Sequence, residues 1–476
     1  MSDDLIRMTA RDVVALLRRR AVSPLELIDA ALRRIAAVEP AINALPVLAA
    51  DRARAQAKRL MEAAPPAEAR GWLGGLPLAI KDSMDVAGVR STDGSPIFAE
   101  RVPERSDLQV ERLEAMGGVV LARSNAPEFA AGANTFNAVF GITRNPWNTD
   151  VTCGGSSGGS AAALAAGEVW LANGSDLGGS LRIPASFCSV VGLRPSPGVV
   201  PQGPRANAFD GLGVSGPMAR NVGDLALLLD AMAGFDARDP LSVAPPPAGY
   251  LDAALAPAAP KRVGFSADLG FLPIDPEVRD IARQAAARLQ DRGTVVEEKG
   301  PDFSGATEIF QTLRALRFVA AYAPHLEKHR ALVKPDVIWN IERGLALDAA
   351  TIGRAMRERV ALQRRVTAFF ADYDLLATPA VIVPPFPVEQ HYVRDVAGHH
   401  FDNYVDWLGM SYAITLTLCP ALSLPCGFTA SGLPVGLQLV GRPRGEPALL
   451  AAAALLEEQL GVTGRVPLEP RPARGR

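Results

Sequence analysis

Short apolar runs alternate with helical patterns along this chain, and this alternation constrains the fold more than any other feature. Apolar runs bounded by glycine or charged residues cover residues 76–80, 119–122 and 169–172, and they are typical of buried strands. Helical patterns at residues 109–116 and 160–168 lie between them. Strands that alternate with helices predict an α/β protein with a largely parallel sheet.

The remaining segments predict how that sheet is framed. Ser23-Pro24 is typical of a helix N-cap followed by proline at the first helical position. Strand-like runs return near the end of the chain, after a mostly helical middle. Because no internal repeat or clean linker is present, we expect a single domain over residues 1–476. Its predicted parts are N-terminal helices at 8–60, a core at 72–235, a helical middle at 275–370 and a sheet-completing part at 371–462.

Charge and cysteine content exclude several classes of function. The formal net charge is −2, so the basic face needed to bind nucleic acid or an anionic membrane is not expected. The four cysteines form no CxxC pair, which disfavours a zinc site or a disulfide framework. The N-terminus lacks the pattern of a signal peptide, and no apolar run has the roughly 20 residues of a membrane span. We therefore expect a cytoplasmic protein without metal, membrane or nucleic acid.

Two clusters of glycine and serine stand out, GGSSGGS at residues 154–160 and SDLGGSLR at 175–182. Both are embedded in apolar sequence, where glycine usually means unusual backbone dihedrals or a close approach. Neither has the spacing of a P-loop or of a dinucleotide-binding loop. Their free N–H groups would suit a developing oxyanion instead.

A serine nucleophile needs a base, and histidine is the usual one. The chain has five histidines, all expected at the surface of the less patterned C-terminal half: His325, His329, His391, His399 and His400. Residues 154–158 have GxSxG spacing around Ser156, but the nucleophile elbow needs a strand directly before it, and residues 145–153 are predicted to be a loop. A Ser-His-Asp triad is therefore poorly supported.

Lysine can replace histidine when burial lowers its pKa enough to leave it neutral. Lys81 follows the apolar run at residues 76–80, and the carboxyl end of a strand commonly borders an active site. A lysine at a strand end is, taken alone, more often a solvated charge.

Seven motifs along the chain resemble the amidase signature family of serine hydrolases. They follow the family order over nearly the whole chain: GGLPLAIKD (74–82), FGITRNPWN (140–148), CGGSSGGS (153–160), SDLGGSLRIPASFCSVVGLRPS (175–196), GPMAR (216–220), PALSLPCG (420–427) and GLPVGLQLVG (432–441). Residues 192–204 are similar to bacterial amidases of the aryl-acylamidase, nylon-oligomer hydrolase and urethanase kind.

This resemblance implies a fold and a set of site residues. The fold would be an α/β/α sandwich around a large, mixed, twisted β-sheet. Lys81 would be the catalytic base, Ser156 a bridging serine on a cis peptide, and Ser180 the nucleophile. The oxyanion hole would be formed by the backbone N–H groups of Leu177, Gly178, Gly179 and Ser180. Cys153 would be a packing residue, and no metal or organic cofactor would be needed.

The resemblance also implies a small-molecule substrate. We expect an apolar or aryl amide, with carbamates, urethanes and amide oligomers as further classes. Small residues are expected to leave room on the acyl side of the site: Ala130, Ala131, Gly132 and Ala133. A homodimer is left open.

Two other functions stay open at this point. The first is the glutamine-hydrolysing subunit of a tRNA-dependent amidotransferase, which holds the glutamine ammonium with an acidic residue shortly before its PxxSxPCG strand. An ungapped alignment on Pro420 places Leu408 there, with Asp406 close by. The second is a non-catalytic binding protein on the same scaffold, although binding alone would not need Lys81, Ser156 and Ser180 together.

Overall fold

A computed structural model describes residues 2–62, 70–203 and 206–472. Its strands, in chain order, are β1 (Val47–Leu48), β2 (Pro77–Lys81), β3 (Val119–Ser124), β4 (Phe136–Asn137), β5 (Gly141–Ile142), β6 (Arg144–Asn145), β7 (Asn148–Thr152), β8 (Leu171–Asp176), β9 (Val191–Arg194), β10 (Val214–Ala219), β11 (Arg262–Phe265), β12 (Val295–Glu298), β13 (Leu375–Pro379), β14 (Asp395–Val396), β15 (His399–His400), β16 (Ala421–Phe428) and β17 (Pro434–Val440).

Eleven of these strands form one sheet in the order β1-β3-β2-β8-β10-β9-β16-β17-β13-β11-β12. Strand β2 runs parallel to β3 and β8, and β11 runs parallel to β12 and β13. The other neighbours in the sheet are antiparallel. The large mixed sheet implied by the family resemblance is therefore confirmed, whereas the largely parallel sheet predicted from the alternation of strands and helices is wrong, because most neighbouring strands are antiparallel. The C-terminal strands β16 and β17 complete the sheet.

The helices of the described chain surround this sheet. They are α1 (Ser2–Arg7), α2 (Ala10–Arg18), α3 (Pro24–Ile42), α4 (Ala50–Glu62), α5 (Leu108–Ala115), α6 (Gly158–Ala166), α7 (Arg182–Cys188), α8 (Val222–Met232), α9 (Tyr250–Ala254), α10 (Pro276–Ala287), α11 (Ala306–His329), α12 (Pro335–Leu345), α13 (Ala349–Asp372), α14 (Gly409–Leu416) and α15 (Glu446–Leu460). Helix α3 begins as the sequence predicts: the Glu26 N–H donates to Ser23 Oγ at 3.2 Å, and the Ser23 N–H donates to the Glu26 carboxylate at 2.8 Å.

Each face of the sheet has its own apolar core. In β13, Leu375 and Ala377 belong to one cluster of buried side chains, whereas Leu376 belongs to another. Successive side chains of a strand point to opposite faces, so both faces are covered. The predicted α/β/α sandwich is confirmed.

Some local predictions differ from the structure. Strand β8 begins at Leu171 and extends to Asp176, further than the apolar run, because the polar residues at its end pair with β10. Residues 145–153, predicted as loop, include the hairpin formed by β6 and β7. The predominantly helical middle also contains β12, which pairs with β11 at the edge of the sheet. Within the described ranges, no helix is long and apolar enough to cross a membrane.

Candidate active site

Lys81 is the last residue of β2, and its side chain is completely buried. Its Nζ donates to Ser156 Oγ at 2.7 Å and to Ser175 Oγ at 3.0 Å. Its backbone N–H donates to the Asn173 side chain at 3.0 Å, which fixes the strand end. The sheet therefore delivers an amino group to two serine hydroxyls inside the protein.

Burial controls the charge of this amino group. Desolvation lowers the pKa of Lys81 to about 7, although the carboxylates of Asp176 and Asp93 act in the opposite direction. A charged ammonium loses its hydration in such a place, so the neutral amine is favoured. Lys81 can thus be a proton acceptor near neutral pH.

Ser156 lies in the turn between β7 and α6, and the Gly155–Ser156 peptide bond is cis. The next residue joins this turn to the second glycine-serine cluster. The Ser157 N–H donates to the Ser180 carbonyl at 3.1 Å, and the Ser175 N–H donates to Ser157 Oγ at 3.3 Å. These contacts place Ser156 and Ser180 beside the same cavity.

Asp176 organises the turn that carries Ser180. Its carboxylate accepts hydrogen bonds from the N–H groups of Gly179 at 3.0 Å and Leu181 at 3.1 Å. The buried Arg182 guanidinium binds the same carboxylate, at 2.7 and 3.0 Å. Despite desolvation, which favours the neutral acid, Arg182 and Arg194 lower the pKa of Asp176 well below its usual range. A buried anion thus anchors the turn from within.

Gly179 is required in this turn because its φ is +112° and a Cβ would lie 2.5 Å from Ser411 Cβ. Its N–H is engaged by Asp176, which revises the prediction that it is a free oxyanion donor. Among the described residues, no acceptor is recorded for the N–H groups of Leu177, Gly178 and Ser180. These three are the donors that remain available.

A cavity of about 340 Å³ opens over these residues. Ser156, Ser175 and Ser180 lie in its wall. Its other lining side chains include the aromatic Phe129, Phe318 and Tyr322, and the charged Asp93, Asp107, Arg314 and Arg317. No hydrogen bond between the Ser156 and Ser180 hydroxyls is recorded in the described chain. Lys81 is therefore hydrogen-bonded directly to Ser156, whereas Ser180 lines the same cavity as Ser156 without a hydrogen bond to it recorded in the described ranges.

Comparison with known proteins shows which family the chain belongs to. The Amidase family model matches residues 26–450. The chain belongs to the amidase signature family. It is 34% identical to an acylamidase of Rhodococcus erythropolis, over 94% of this chain and 95% of that protein. It is also 35% identical to a glutamyl-tRNA(Gln) amidotransferase subunit of Moorella thermoacetica, over 96% and 97% of the two chains.

The solved structures agree with the family. A bacterial aryl acylamidase of the amidase signature enzymes superposes with a TM-score of 0.88 at 27% identity, covering 97% of this chain and 99% of that one. The protein is accordingly an amide-bond hydrolase that acts on the C–N bond of a small molecule.

The predicted acyl-side residues of this amidase signature enzyme are divided by the structure. Ala130 lines the cavity with Ser180. Ala131 and Ala133 are buried in two separate apolar clusters. A Cβ on Gly132 would lie 3.6 Å from Lys334 Nζ. Of the four, only Ala130 is among the described residues that form the wall.

Histidine and cysteine side chains lie outside the cavity wall of this amidase, as far as the chain is described. His391 and His400 pair with Asp336 and Asp395, each at 2.8 Å. His325 differs from the expected surface position, because its ring stacks on Phe129 at 6.0 Å. Burial raises the pKa of the Cys153 thiol to about 12, so this cysteine is a poor nucleophile. The described residues contain no group of three or more His, Cys, Asp or Glu side chains placed to hold a metal.

Several residues of the cavity wall were missed by the sequence analysis, among them Ser175 and Asp93. Ser175 begins the second cluster and lies on β8, two residues after Asn173. This position brings its hydroxyl within hydrogen-bonding distance of Lys81. Asp93 lies in a turn after β2 without any catalytic pattern around it. A polar residue at the carboxyl end of β8 was the available signal for Ser175, since β8 is parallel to β2.

Proposed function

We propose that this amidase hydrolyses apolar or aryl amides through an acyl-enzyme formed on Ser180. The observation that carries the proposal is the 2.7 Å contact between Lys81 Nζ and Ser156 Oγ beside a cavity that Ser180 lines. Catalytic hydrogen bonds often tighten only when substrate is bound. We therefore infer that the Ser180 hydroxyl turns towards Ser156 in the substrate complex.

The proposed reaction moves one proton in each direction. As Ser180 Oγ attacks the carbonyl carbon, its proton passes to Ser156, and the Ser156 proton passes to neutral Lys81. The N–H groups of Leu177, Gly178 and Ser180 stabilise the oxyanion. The relay then returns the proton to the leaving nitrogen, and the C–N bond breaks. Water attacks the acyl-enzyme through the same relay, which releases the acid and restores Ser180.

The shape and lining of the cavity support the substrate class. Phe129, Phe318 and Tyr322 offer ring surfaces for an aryl or alkyl group, and Ala130 leaves room beside them. The acylamidase and aryl acylamidase relatives act on acyl amides by their names, which supports the same class here. Carbamates are a second class, because their carbonyl presents the same geometry to Ser180.

A panel of anilides, aliphatic amides and aryl carbamates tests this proposal, with product identification by mass spectrometry. We expect anilides to be hydrolysed fastest, and Ser180→Ala to lose activity by at least about 10³-fold while remaining folded. The proposal fails if the folded Ser180→Ala protein keeps a substantial share of the wild-type rate.

Glutamine hydrolysis for a tRNA-dependent amidotransferase is the second candidate, favoured by the 35% identity to the Moorella thermoacetica protein. The position of Asp406 counts against it, because its carboxylate accepts hydrogen bonds from Gln311 at 2.7 Å and Asn403 at 2.6 Å. Asp406 is also not among the residues that line the cavity. A glutaminase assay of the isolated chain, and of the chain mixed with amidotransferase partner proteins, separates the two candidates. Ammonia release that depends on the partners would replace the first proposal.

A further inference from the structure

Asp93 occupies a fixed position in the wall of the active-site cavity. Its N–H donates to the Asp82 carbonyl at 3.2 Å, and its own carbonyl accepts the Phe129 N–H at 2.9 Å. The flanking Gly94 N–H donates to the Asp82 carboxylate at 3.2 Å. The φ of Asp93 is +55°, a conformation that asparagine and aspartate adopt more readily than most residues. This turn therefore holds the Asp93 side chain towards the cavity.

The Asp93 carboxylate has no recorded hydrogen bond or ion pair with the described residues, although it is partly buried. The two basic groups that act on its pKa are engaged elsewhere: Arg101 pairs with Asp85 at 2.6 Å, and Lys81 donates to Ser156 and Ser175. Desolvation and the neighbouring Asp82 raise the pKa of Asp93 to about 7. Buried carboxylates are normally paired, so this one is set up for a partner that the protein itself does not supply.

Aromatic rings surround the same part of the cavity. Phe129 and Tyr322 lie 4.5 Å apart, and Phe318 meets Tyr322 edge-on at 5.3 Å. All three rings line the cavity, and the charge of Asp93 acts on the Tyr322 hydroxyl. Ring faces beside a carboxylate are the combination that binds ammonium groups in proteins.

The two arginines of the cavity wall do not neutralise the carboxylate of Asp93. Arg314 lies about 12 Å along α11 from Tyr322, and its guanidinium donates to Asn340 and Tyr404. Arg317 is paired with Asp210. Arg314 keeps its charge, because both of its partners are neutral, but neither arginine is among the groups whose charge shifts the pKa of Asp93. Among the described residues at this end of the cavity, the unpaired charged groups are carboxylates, Asp93 and the neighbouring Asp107.

We propose that Asp93 is a specificity residue that binds a protonated amine on the substrate, so that the enzyme prefers amides carrying an ammonium group on one arm. This inference rests on the proposed function, because it takes the cavity beside Ser180 as the substrate site. It narrows the substrate class from apolar or aryl amides to those with a cationic end.

Binding without turnover tests the inference directly. Ser180→Ala is titrated by calorimetry, at about pH 8.5 where alkyl ammonium groups are still protonated. One pair of ligands is an ω-aminoalkanoyl anilide and the alkanoyl anilide of equal length. The other pair is an N-(ω-aminoalkyl)benzamide and the matching N-alkylbenzamide, so that each arm of the amide is probed.

We expect the ammonium ligand of at least one pair to bind about 10- to 100-fold more tightly than its neutral match. Adding Asp93→Asn, which keeps the shape and suits the backbone conformation, should abolish the preference. The matched control Asp29→Asn removes a surface carboxylate outside the cavity and should change the preference by less than about threefold. Equal binding within both pairs, or a preference that survives Asp93→Asn, overturns the inference.

Wild-type hydrolysis of the same four amides separates this inference from the proposed function. If neutral amides are hydrolysed with no preference for the ammonium ligands in binding, the proposed function stands and the role of Asp93 is wrong. If the binding preference depends on Asp93 but no amide is hydrolysed in a Ser180-dependent way, the role of Asp93 stands and the proposed chemistry is wrong.

Discussion

Lys81 Nζ lies 2.7 Å from Ser156 Oγ, and neither side chain has any solvent-exposed surface. The contact joins the end of strand β2, an interior strand of the sheet, to the glycine-rich turn before α6. In such a place a lysine is more stable without its charge, and a hydroxyl within hydrogen-bonding distance can pass it a proton. The predictions for catalysis depend on this pair.

The rate of hydrolysis should rise with pH through about 7, the lowered pKa of Lys81. Below this pH the side chain is protonated and cannot accept a proton from Ser156, so kcat/KM falls as pH decreases. The pH profile of kcat/KM for a neutral anilide measures this limb. Lys81→Arg should be inactive across the range, because guanidinium does not lose its proton. An active Lys81→Arg enzyme would show that another base is used.

Ser156→Ala should lower kcat by about 10²- to 10⁴-fold, because the proton path from Ser180 to Lys81 is interrupted. The neighbouring hydroxyl of Ser157 provides a matched control, since its hydrogen bonds within the described ranges go to the backbone of Ser175. Ser157→Ala should therefore lose less than about tenfold. Steady-state kinetics of the two variants measure both values of kcat. Equal losses in kcat would mean that Ser156 does not relay the proton from Ser180 to Lys81.

The glycine-serine clusters and the end of β2 indicated which segments form the candidate site, but not which hydrogen bonds their backbone N–H groups make. Lys81, Ser156 and Ser180 lie in motifs that resemble the amidase signature family, so their roles could be proposed from the sequence. The engagement of the Gly179 N–H by Asp176 could not, because it depends on the folded path of the turn.

Residues brought in from distant segments were beyond the sequence analysis for the same reason. Asp93 follows β2, whereas Phe318 and Tyr322 belong to α11, and only the tertiary fold places them around one cavity. The mixed sheet was predicted through the family resemblance, whereas the apolar runs alone predicted a largely parallel sheet. The hairpin of β6 and β7 lacks a strong apolar alternation and was missed.

Asp176→Asn should destabilise the fold by about 3–5 kcal/mol, because it leaves the buried Arg182 and Arg194 without their anion. Since the pKa of Asp176 is depressed in the folded state, its stabilisation is present above the unfolded pKa of about 3.9 and is lost as pH falls. Urea unfolding measures the free energy. The surface pair of Asp29 with Arg54 is the control, and Asp29→Asn should cost less than about 1 kcal/mol. Similar losses in the two variants would contradict this role.

Glu168 should make the protein less stable as pH rises. It is fully buried against the carboxyl group of Glu39, and desolvation together with that neighbouring carboxyl group raises its pKa well above the usual value. The folded state therefore holds a proton that the unfolded chain loses above its pKa of about 4.3.

Glu168→Gln should consequently stabilise the protein by roughly 1–3 kcal/mol at alkaline pH and have little effect at acid pH. Thermal unfolding across pH measures the difference, with the exposed Glu104→Gln as a control that should change nothing. A stabilisation that is independent of pH would contradict the buried proton.

Covalent labelling with a fluorophosphonate tests the central claim most directly, because it traps an activated serine independently of the natural substrate. Intact mass and peptide mapping should show one adduct on Ser180, formed faster as pH rises through about 7 and absent from Ser180→Ala and Lys81→Arg. An adduct on Ser156 or Cys153, or labelling of Ser180 that is unaffected by Lys81→Arg, would contradict the account.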